Sequence, residues 1–473
     1  MLRRRFIQQI SLLTGGWVVA CKAPVTELFP YPKKIKGQVH SRRKALKGVV
    51  ISDGYNVVAT DHKGRYEFEL HPSASSIFIS TPSGYKFNHQ NGIARHYHKL
   101  REDFIERTFN FELEPLDRDD DEHQFIIWAD PQVKNKNDVE KMMTQSVPDV
   151  RKIVGAAGTG SLLHGITVGD IVWDELHLFS DYSKAVEKMG IPFFQCLGNH
   201  DMDSNKGGDE ASDDTFQQTF GPTYYSFNRG KVHYVVLDDV RYLGKNREYD
   251  GYISQHQLDW LKKDLSFIPM DWLVIVCLHI PVHNGVKNNK DLYALLSERN
   301  VHIMSGHTHY HRNVIDGTIY EHNHGTVCGA WWTGPICGDG TPCGYGVYKV
   351  KGTGLSWHYQ STGEDPEHQF NIFVENEGST QKKVQVNIWN WDPQWITEYW
   401  VDGNFKGSLE QLTTFDPMAY ATLLGPDLPK PRGFAEPRKT EHMFMARIPA
   451  STQEIKVTAT DRFGKKYTSV QKV

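Results

Sequence analysis

Five short stretches of this 473-residue chain each close an apolar run on side chains that can bind a cation or move a proton. "WADPQ" carries Asp130 and Gln132, and "VGDIVWD" carries Asp170 with Asp174 four residues on. "LGNHD" carries Asn199, His200 and Asp201, "CLHIPVH" carries His279, and "SGHTH" carries His307 and His309. Any one of these alone reads as a turn, a cap or a packed histidine. Together they form a set of carboxylate, amide and imidazole donors, and imidazole moves the preference away from Mg and Ca towards Mn, Fe or Zn. A neutral histidine held by a carboxylate is also a competent proton donor or acceptor near neutral pH.

Such a set needs elements that bring the five stretches to one place. The runs "FIIWAD", "GITVGDIVWD", "PFFQCLGNHD", "VHYVVLDD", "LVIVCLHIP" and "VHIMSGHTH" alternate with helical stretches such as "NDVEKMMTQSVPDVRKIV" and "HLFSDYSKAVEKMG". Near-continuous apolar strands with helices between them predict a sheet covered on both faces. Ligands in such folds gather where the strands end, at their carboxyl edge. The central unit is predicted over 122–352. Before it, 33–114 reads as short antiparallel strands, with Tyr66 and Phe68 facing one way and Glu67 and Glu69 the other. The acidic, proline-containing "EPLDRDDDE" marks the boundary. Strand patterns return over 355–473, with Trp389, Trp391, Trp395 and Trp400 concentrated there. The fold class expected is therefore α/β: a central β-sandwich with helices on both faces, an N-terminal β-sandwich and a C-terminal β-rich domain.

The order D-x-[H/Q], G-D-x-x-x-D, G-N-H-D, H, G-H-x-H resembles the calcineurin-like metallophosphoesterases over roughly Phe125 to Tyr348. Ala129-Asp130-Pro131-Gln132 is similar to the branch whose first motif reads A-D-P-Q. The resemblance implies two divalent ions (Mn, Fe or Zn) bridged by Asp170. Asp130, His309 and Gln132, in the slot usually held by histidine, would complete the first ion, and Asn199, His279 and His307 the second. His200 would meet the phosphate or protonate the leaving oxygen, with Asp201 orienting it. The implied reaction is attack by a metal-bridging hydroxide on a phosphate mono- or diester, with ions ~3.5–4 Å apart. An amide oxygen is a weaker donor than imidazole, so Gln132 implies a softer hold on the first ion.

Around these motifs, Trp331 and Trp332 are candidate pocket walls, and His283 and Arg312 are candidate substrate contacts. Asp238 and Asp239 are expected as structural partners, and the polar loop Asp203 to Phe216 as a gate or selector. Cys196 and Cys277 sit inside apolar runs and read as buried strand residues, while Cys328, Cys337 and Cys343 are spaced so that they could pair.

The N-terminus reads as a secretory signal over residues 1–20: Arg3, Arg4 and Arg5, a short apolar middle, then Val18-Val19-Ala20 before Cys21. Small residues before a cysteine resemble a bacterial lipobox, making Cys21 the expected lipidation site. The arginines also resemble a twin-arginine signal. The expected location is the cell envelope, lipid-anchored in the periplasm or at the outer membrane, with membrane contact through that anchor only. Removal of residues 1–20 takes away three arginines and moves the formal charge from −4 to −7. An acidic mature chain excludes the basic footprint of a nucleic-acid duplex binder. The substrates expected are nucleotide, lipid or glycan phosphates. The alternative reading is a non-catalytic glycan-binding lipoprotein that uses the flanking β domains and their tryptophans.

Overall fold

Unbroken apolar runs become strands buried on both faces, and the strand ends carry the polar residues. The computed structural model describes residues 34–100, 107–158, 160–204, 206–425 and 434–473. The expected signal segment and Cys21 lie outside the described residues. In the central unit one sheet runs in the order Gly354–Ser361, Gly344–Lys351, Glu122–Trp128, Leu163–Val168, Phe193–Cys196, Ile93–Ala94, His89–Gln90. Its Glu122–Trp128, Leu163–Val168 and Phe193–Cys196 strands are parallel, so their carboxyl ends share one edge. The second sheet runs Tyr225–Arg229, Val232–Val236, Leu273–Cys277, Asn300–Ser305, Ile319–Asn323, Arg312–Asp316. It is parallel from Val232–Val236 through Ile319–Asn323. Every residue of Leu163–Val168, Val232–Val236 and Leu273–Cys277 is buried, which is why these segments read as continuous rather than alternating.

The intervening helices bury one stripe each into the same core. Phe179–Met189 turns Phe179, Tyr182, Ala185, Val186 and Met189 inward and ends at Gly190, whose left-handed φ of 79° favours a residue without a side chain. Gln255–Leu265 does the same with Leu258, Trp260, Leu261 and Leu265. The Trp260 indole donates to Ser52 Oγ at 3.1 Å, tying this helix to the N-terminal domain.

That domain is built from two four-stranded sheets around Ile35, Val39, Ile51, Tyr66, Ile77 and Phe111. Along Arg65–Glu69, Tyr66 and Phe68 are buried and Glu67 and Glu69 exposed, the alternation expected of a half-buried strand. It does not stand apart: Ile93 pairs with Phe193, so two of its two-residue strands extend the first central sheet. At the other edge, Gly354–Ser361 pairs along Gly344–Lys351, so the boundary expected near 352–355 falls in the turn of the sheet's terminal hairpin. The C-terminal unit then forms two four-stranded sheets around Val384, Val386, Phe444, Ile448, Ile455 and Val457. Trp389 is wholly buried, and Trp391 and Trp395 pack against this core. The described cysteines are all free thiols, Cys196 and Cys277 within strands as expected.

Candidate metal centre

The parallel strands end at one place, and there the backbone turns sharply. Asp130, Gln132, Asp170, Asp174, His307, His309, Trp331 and Trp332 all adopt left-handed φ between 37° and 71°. Such conformations cost ~1–3 kcal/mol each for residues with a Cβ and persist where the surroundings over-determine them. Three glycines let the turns close. A Cβ on Gly169 would lie 2.4 Å from His279 Nδ1, one on Gly198 2.4 Å from Asp170 Oδ1, and one on Gly306 2.3 Å from Asp130 Oδ2. The glycines of "VGD", "LGN" and "SGH" are thus the space into which the ligating side chains fit.

Asp170 lies at the middle of the assembly, with its two oxygens facing different partners. Oδ1 is 3.3 Å from His279 Nε2 and accepts the His200 amide at 2.9 Å, whereas Oδ2 accepts the Gln132 side-chain amide at 2.9 Å. On the first side, His279 Nε2 is 3.0 Å from Asn199 Oδ1 and 3.1 Å from His307 Nδ1. Donor atoms of Asp170, His279 and His307 all lie within 4.8 Å of one another. On the other side, His309 Nε2 is 3.6 Å from Asp130 Oδ1, and Asp130 also accepts the His307 amide. His279 and His309 each commit Nδ1 to a backbone carbonyl, Val168 at 2.9 Å and Gly329 at 2.6 Å. That fixes the tautomer and turns each Nε2 lone pair inward, the arrangement metal-binding histidines need.

The structure corrects the assignment of His200's partner. Asp201 does not touch the His200 ring. Its buried carboxylate accepts three backbone amides, from Ile171, Val172 and Gly198, at 3.0–3.1 Å, and so fastens two motif loops together. The residue that holds the ring is Asp174, 3.0 Å from His200 Nδ1, and Arg247 pairs with the other Asp174 oxygen. Burial works against a charge on His200, but the Asp170 and Asp174 carboxylates outweigh it and hold its pKa above the usual histidine value. Asp239 is the structural partner expected, accepting the His279 and Ile280 amides.

The candidate substrate contacts divide. Trp331 stacks on His309 with centroids 4.2 Å apart, and the buried Trp332 indole donates to the Pro131 carbonyl at 2.9 Å. His283 is instead held by Glu321 at 3.0 Å, and Arg312 is committed to Glu441 of the C-terminal domain at 3.1 Å. Arg312 therefore joins domains, with its side chain still 38% exposed. Sequence reasoning missed Trp173, 5.4 Å from His200, and Phe434, 5.4 Å from Trp173 and 5.1 Å from Trp331. It also missed Lys134, whose ammonium lies over Trp173, and Tyr249, edge-on to His307 at 5.9 Å. Asp174 carried a signal as the second aspartate of G-D-x-x-x-D; Trp173 stands at an unspecified position of that motif, and Lys134, Tyr249 and Phe434 lie outside the motifs.

Three family descriptions match side by side. Residues 33–116 match "N terminal of Calcineurin-like phosphoesterase", 165–311 match "Calcineurin-like phosphoesterase", and 321–467 match "C terminal of Calcineurin-like phosphoesterase". The chain belongs to the calcineurin-like phosphoesterases. This calcineurin-like phosphoesterase is accordingly a phosphate-ester hydrolase of a metal-dependent family. No curated protein matches its sequence. Among solved structures it is similar to a dimetal phosphatase from Danio rerio, at 14% identity and TM-score 0.39, covering 50% of this chain and 96% of that one. It is also similar to a purple acid phosphatase from yellow lupin, Lupinus luteus, at 11% identity and TM-score 0.38, covering 76% and 69%. A third is a putative 5'-nucleotidase from Staphylococcus aureus, at 13% identity and TM-score 0.32, covering 51% and 53%.

The residues of this phosphoesterase fit the cations its family uses. Asp130 and Asp170 are both buried, and neither pairs with a lysine or arginine among the described residues. Burial pushes Asp130 up to about 8, against the pull of His279. Asp170 is also penalised by burial, yet His279 and His200 beside it hold it below the usual carboxylate range. Burial is thus what disfavours the charge on Asp130, and a bound cation would favour it. Gln132 Oε1 is likewise buried with no hydrogen-bond partner. An orphaned buried acceptor costs ~1–3 kcal/mol, and a cation removes that cost.

Proposed function

We propose that this phosphoesterase is an exported, lipid-anchored enzyme that hydrolyses phosphate mono- or diesters with two divalent ions, Mn, Fe or Zn. Asp130, Gln132, Asp170 and His309 would hold one ion, and Asp170, Asn199, His279 and His307 the other. The observation that carries this reading is Asp170, whose Oδ1 faces His279 and whose Oδ2 faces Gln132. One carboxylate with a donor set on either side suits two cations better than one.

When bound, such ions acidify water and neutralise phosphoryl oxygens. The chain's own residues do the rest. Asn199 and Gln132 add oxygen donors without charge, keeping the site attractive to phosphate. His200, steadied by Asp174, holds a proton where a leaving oxygen would need it. Arg247 on the far Asp174 oxygen limits how that carboxylate can turn.

For the glycan-binding alternative, Trp389 is buried and offers no face to a sugar, whereas Trp391, Trp395 and Trp400 are half-buried. Export rests on the arginine-led segment 1–20 and on Cys21, with nucleotide, lipid and glycan phosphates as the substrate classes. Replacing Cys21 with Ala should release the protein from membranes, which fractionation and mass analysis of the N-terminus would read. Catalysis is tested by a panel of mono- and diesters offered to wild type and His200→Ala. Turnover of at least one ester by wild type, with a large loss in the variant, is expected; equal rates for both would overturn His200's role.

A further inference from the structure

Beside His200 stands a wall of aromatic rings contributed by two domains. Trp173 follows the Asp170 turn and lies 5.4 Å from the His200 ring. Trp331 lies 6.2 Å from Trp173, and Phe434 completes the group at 5.4 Å from Trp173 and 5.1 Å from Trp331. Two of these rings already have faces covered: Trp331 stacks on His309, and Lys134 sits 4.6 Å over Trp173. Phe434 is 52% exposed. With Trp173 and Trp331 it forms an apolar patch rather than a single exposed ring.

Phe434 is also firmly mounted. Ala435, next in the chain, is buried with Ala330 and Leu423, and Trp331 packs against that cluster. The Arg438 amide donates to the Gly338 carbonyl at 2.7 Å, and the Gly338 amide donates to His309 at 3.1 Å. Behind them, His442 meets Asp339 at 3.0 Å and Asn387 donates to the Asp339 carbonyl at 2.9 Å. The C-terminal domain thus grips the loop that supports His309 and presents Phe434 at a fixed place.

We infer that Phe434, with the edges of Trp173 and Trp331, forms a leaving-group subsite for a flat heteroaromatic ring carried on a spacer, as in a nucleoside ester. The inference rests on the proposed hydrolysis, in which His200 marks where the ester oxygen leaves. Phe434 is two ring contacts from His200 by way of Trp173. In this account a ring attached directly to the ester oxygen meets Trp173 first, and one carried on a spacer extends to Phe434. Lys134 adds a cation beside the path, suited to an anionic or carbonyl-rich ligand. Stacking on a fixed ring discriminates planar groups without specific hydrogen bonds. The C-terminal domain, in this account, selects substrate.

The test compares kcat/KM of the full-length, metal-loaded wild type and Phe434→Ala on adenosine 5'-phosphate, 4-nitrophenyl phosphate and glycerol phosphate. Loss of about tenfold on the nucleotide, with the other two esters within about twofold, is expected from one lost stack. Phe434→Trp should restore the nucleotide rate. Equal losses on all three esters, losses on none, or a loss confined to 4-nitrophenyl phosphate would each overturn the subsite. Adenosine binding to metal-free protein, followed by tryptophan fluorescence, provides a readout independent of turnover. Quenching in wild type that is lost in Phe434→Ala supports the subsite even if no ester is hydrolysed, an outcome that would count against the proposed reaction alone. No quenching in wild type, or equal quenching in both proteins, contradicts the subsite.

Discussion

His200 is the side chain on which the proposed chemistry turns, and its carboxylate partner comes from another motif. His200→Ala is expected to lower kcat by about 10²–10⁴-fold, the range for a lost general acid, with little change in KM. Asp174→Asn keeps the shape but weakens the hold on the ring, so kcat should fall by about tenfold or more under the same assay. Asp201→Asn should act differently, lowering thermal stability by loosening the Ile171, Val172 and Gly198 amides. The family resemblance implied that Asp201 orients His200, but neighbours in a turn point to different sides, and the Asp201 carboxylate goes to backbone amides. Asp174, four residues past Asp170, was visible as the end of a motif, yet nothing in its spacing tied it to the next strand's histidine. Gln132 was legible as a donor; its orphaned oxygen became apparent only with its surroundings in place. Gln132→His should tighten retention of an ion by about tenfold, within the range for altered metal-site ligation, as read by chelator competition.

At the scale of elements, the centre depends on how closely strand ends approach one another. The apolar runs and their polar ends were legible because buried parallel strands leave no alternation to confuse them. The glycines before Asp170 and after Leu197 and Ser305 have a sharper role than turn formation, since each leaves room for a ligand. Gly306→Ala would force Asp130 Oδ2 away from a Cβ 2.3 Å off. Bound metal, counted by mass spectrometry, should fall below one half of the wild-type content, while far-ultraviolet circular dichroism is retained. The two-residue strands of the N-terminal domain that extend the first sheet were not legible, because pairs of residues carry no periodicity.

At the scale of the whole molecule, the C-terminal domain is joined to the centre by buried polar contacts that composition could not reveal. Asp339 accepts the His311 amide and meets His442, residues far apart in sequence. Burial opposes its charge, but His442 and neighbouring amides outweigh burial and keep its pKa below the ordinary carboxylate value. Such a group stabilises the fold above the unfolded carboxyl pKa of about 3.9, and that stability is lost as pH falls through the folded value. Docking should therefore weaken below about pH 4, and His442→Ala, which removes one partner of the buried carboxylate and leaves the His311 and Thr341 donors, should cost ~1–3 kcal/mol at neutral pH by thermal melting. The central claim, a pair of ions straddling Asp170, is tested most directly by equilibrium dialysis of chelator-stripped protein against Mn²⁺, with phosphate-ester hydrolysis measured on the same samples. The account predicts two ions per chain and activity that rises with their binding. A folded protein that binds one ion or none at saturating Mn²⁺, or that hydrolyses the esters with no ion bound, would contradict it.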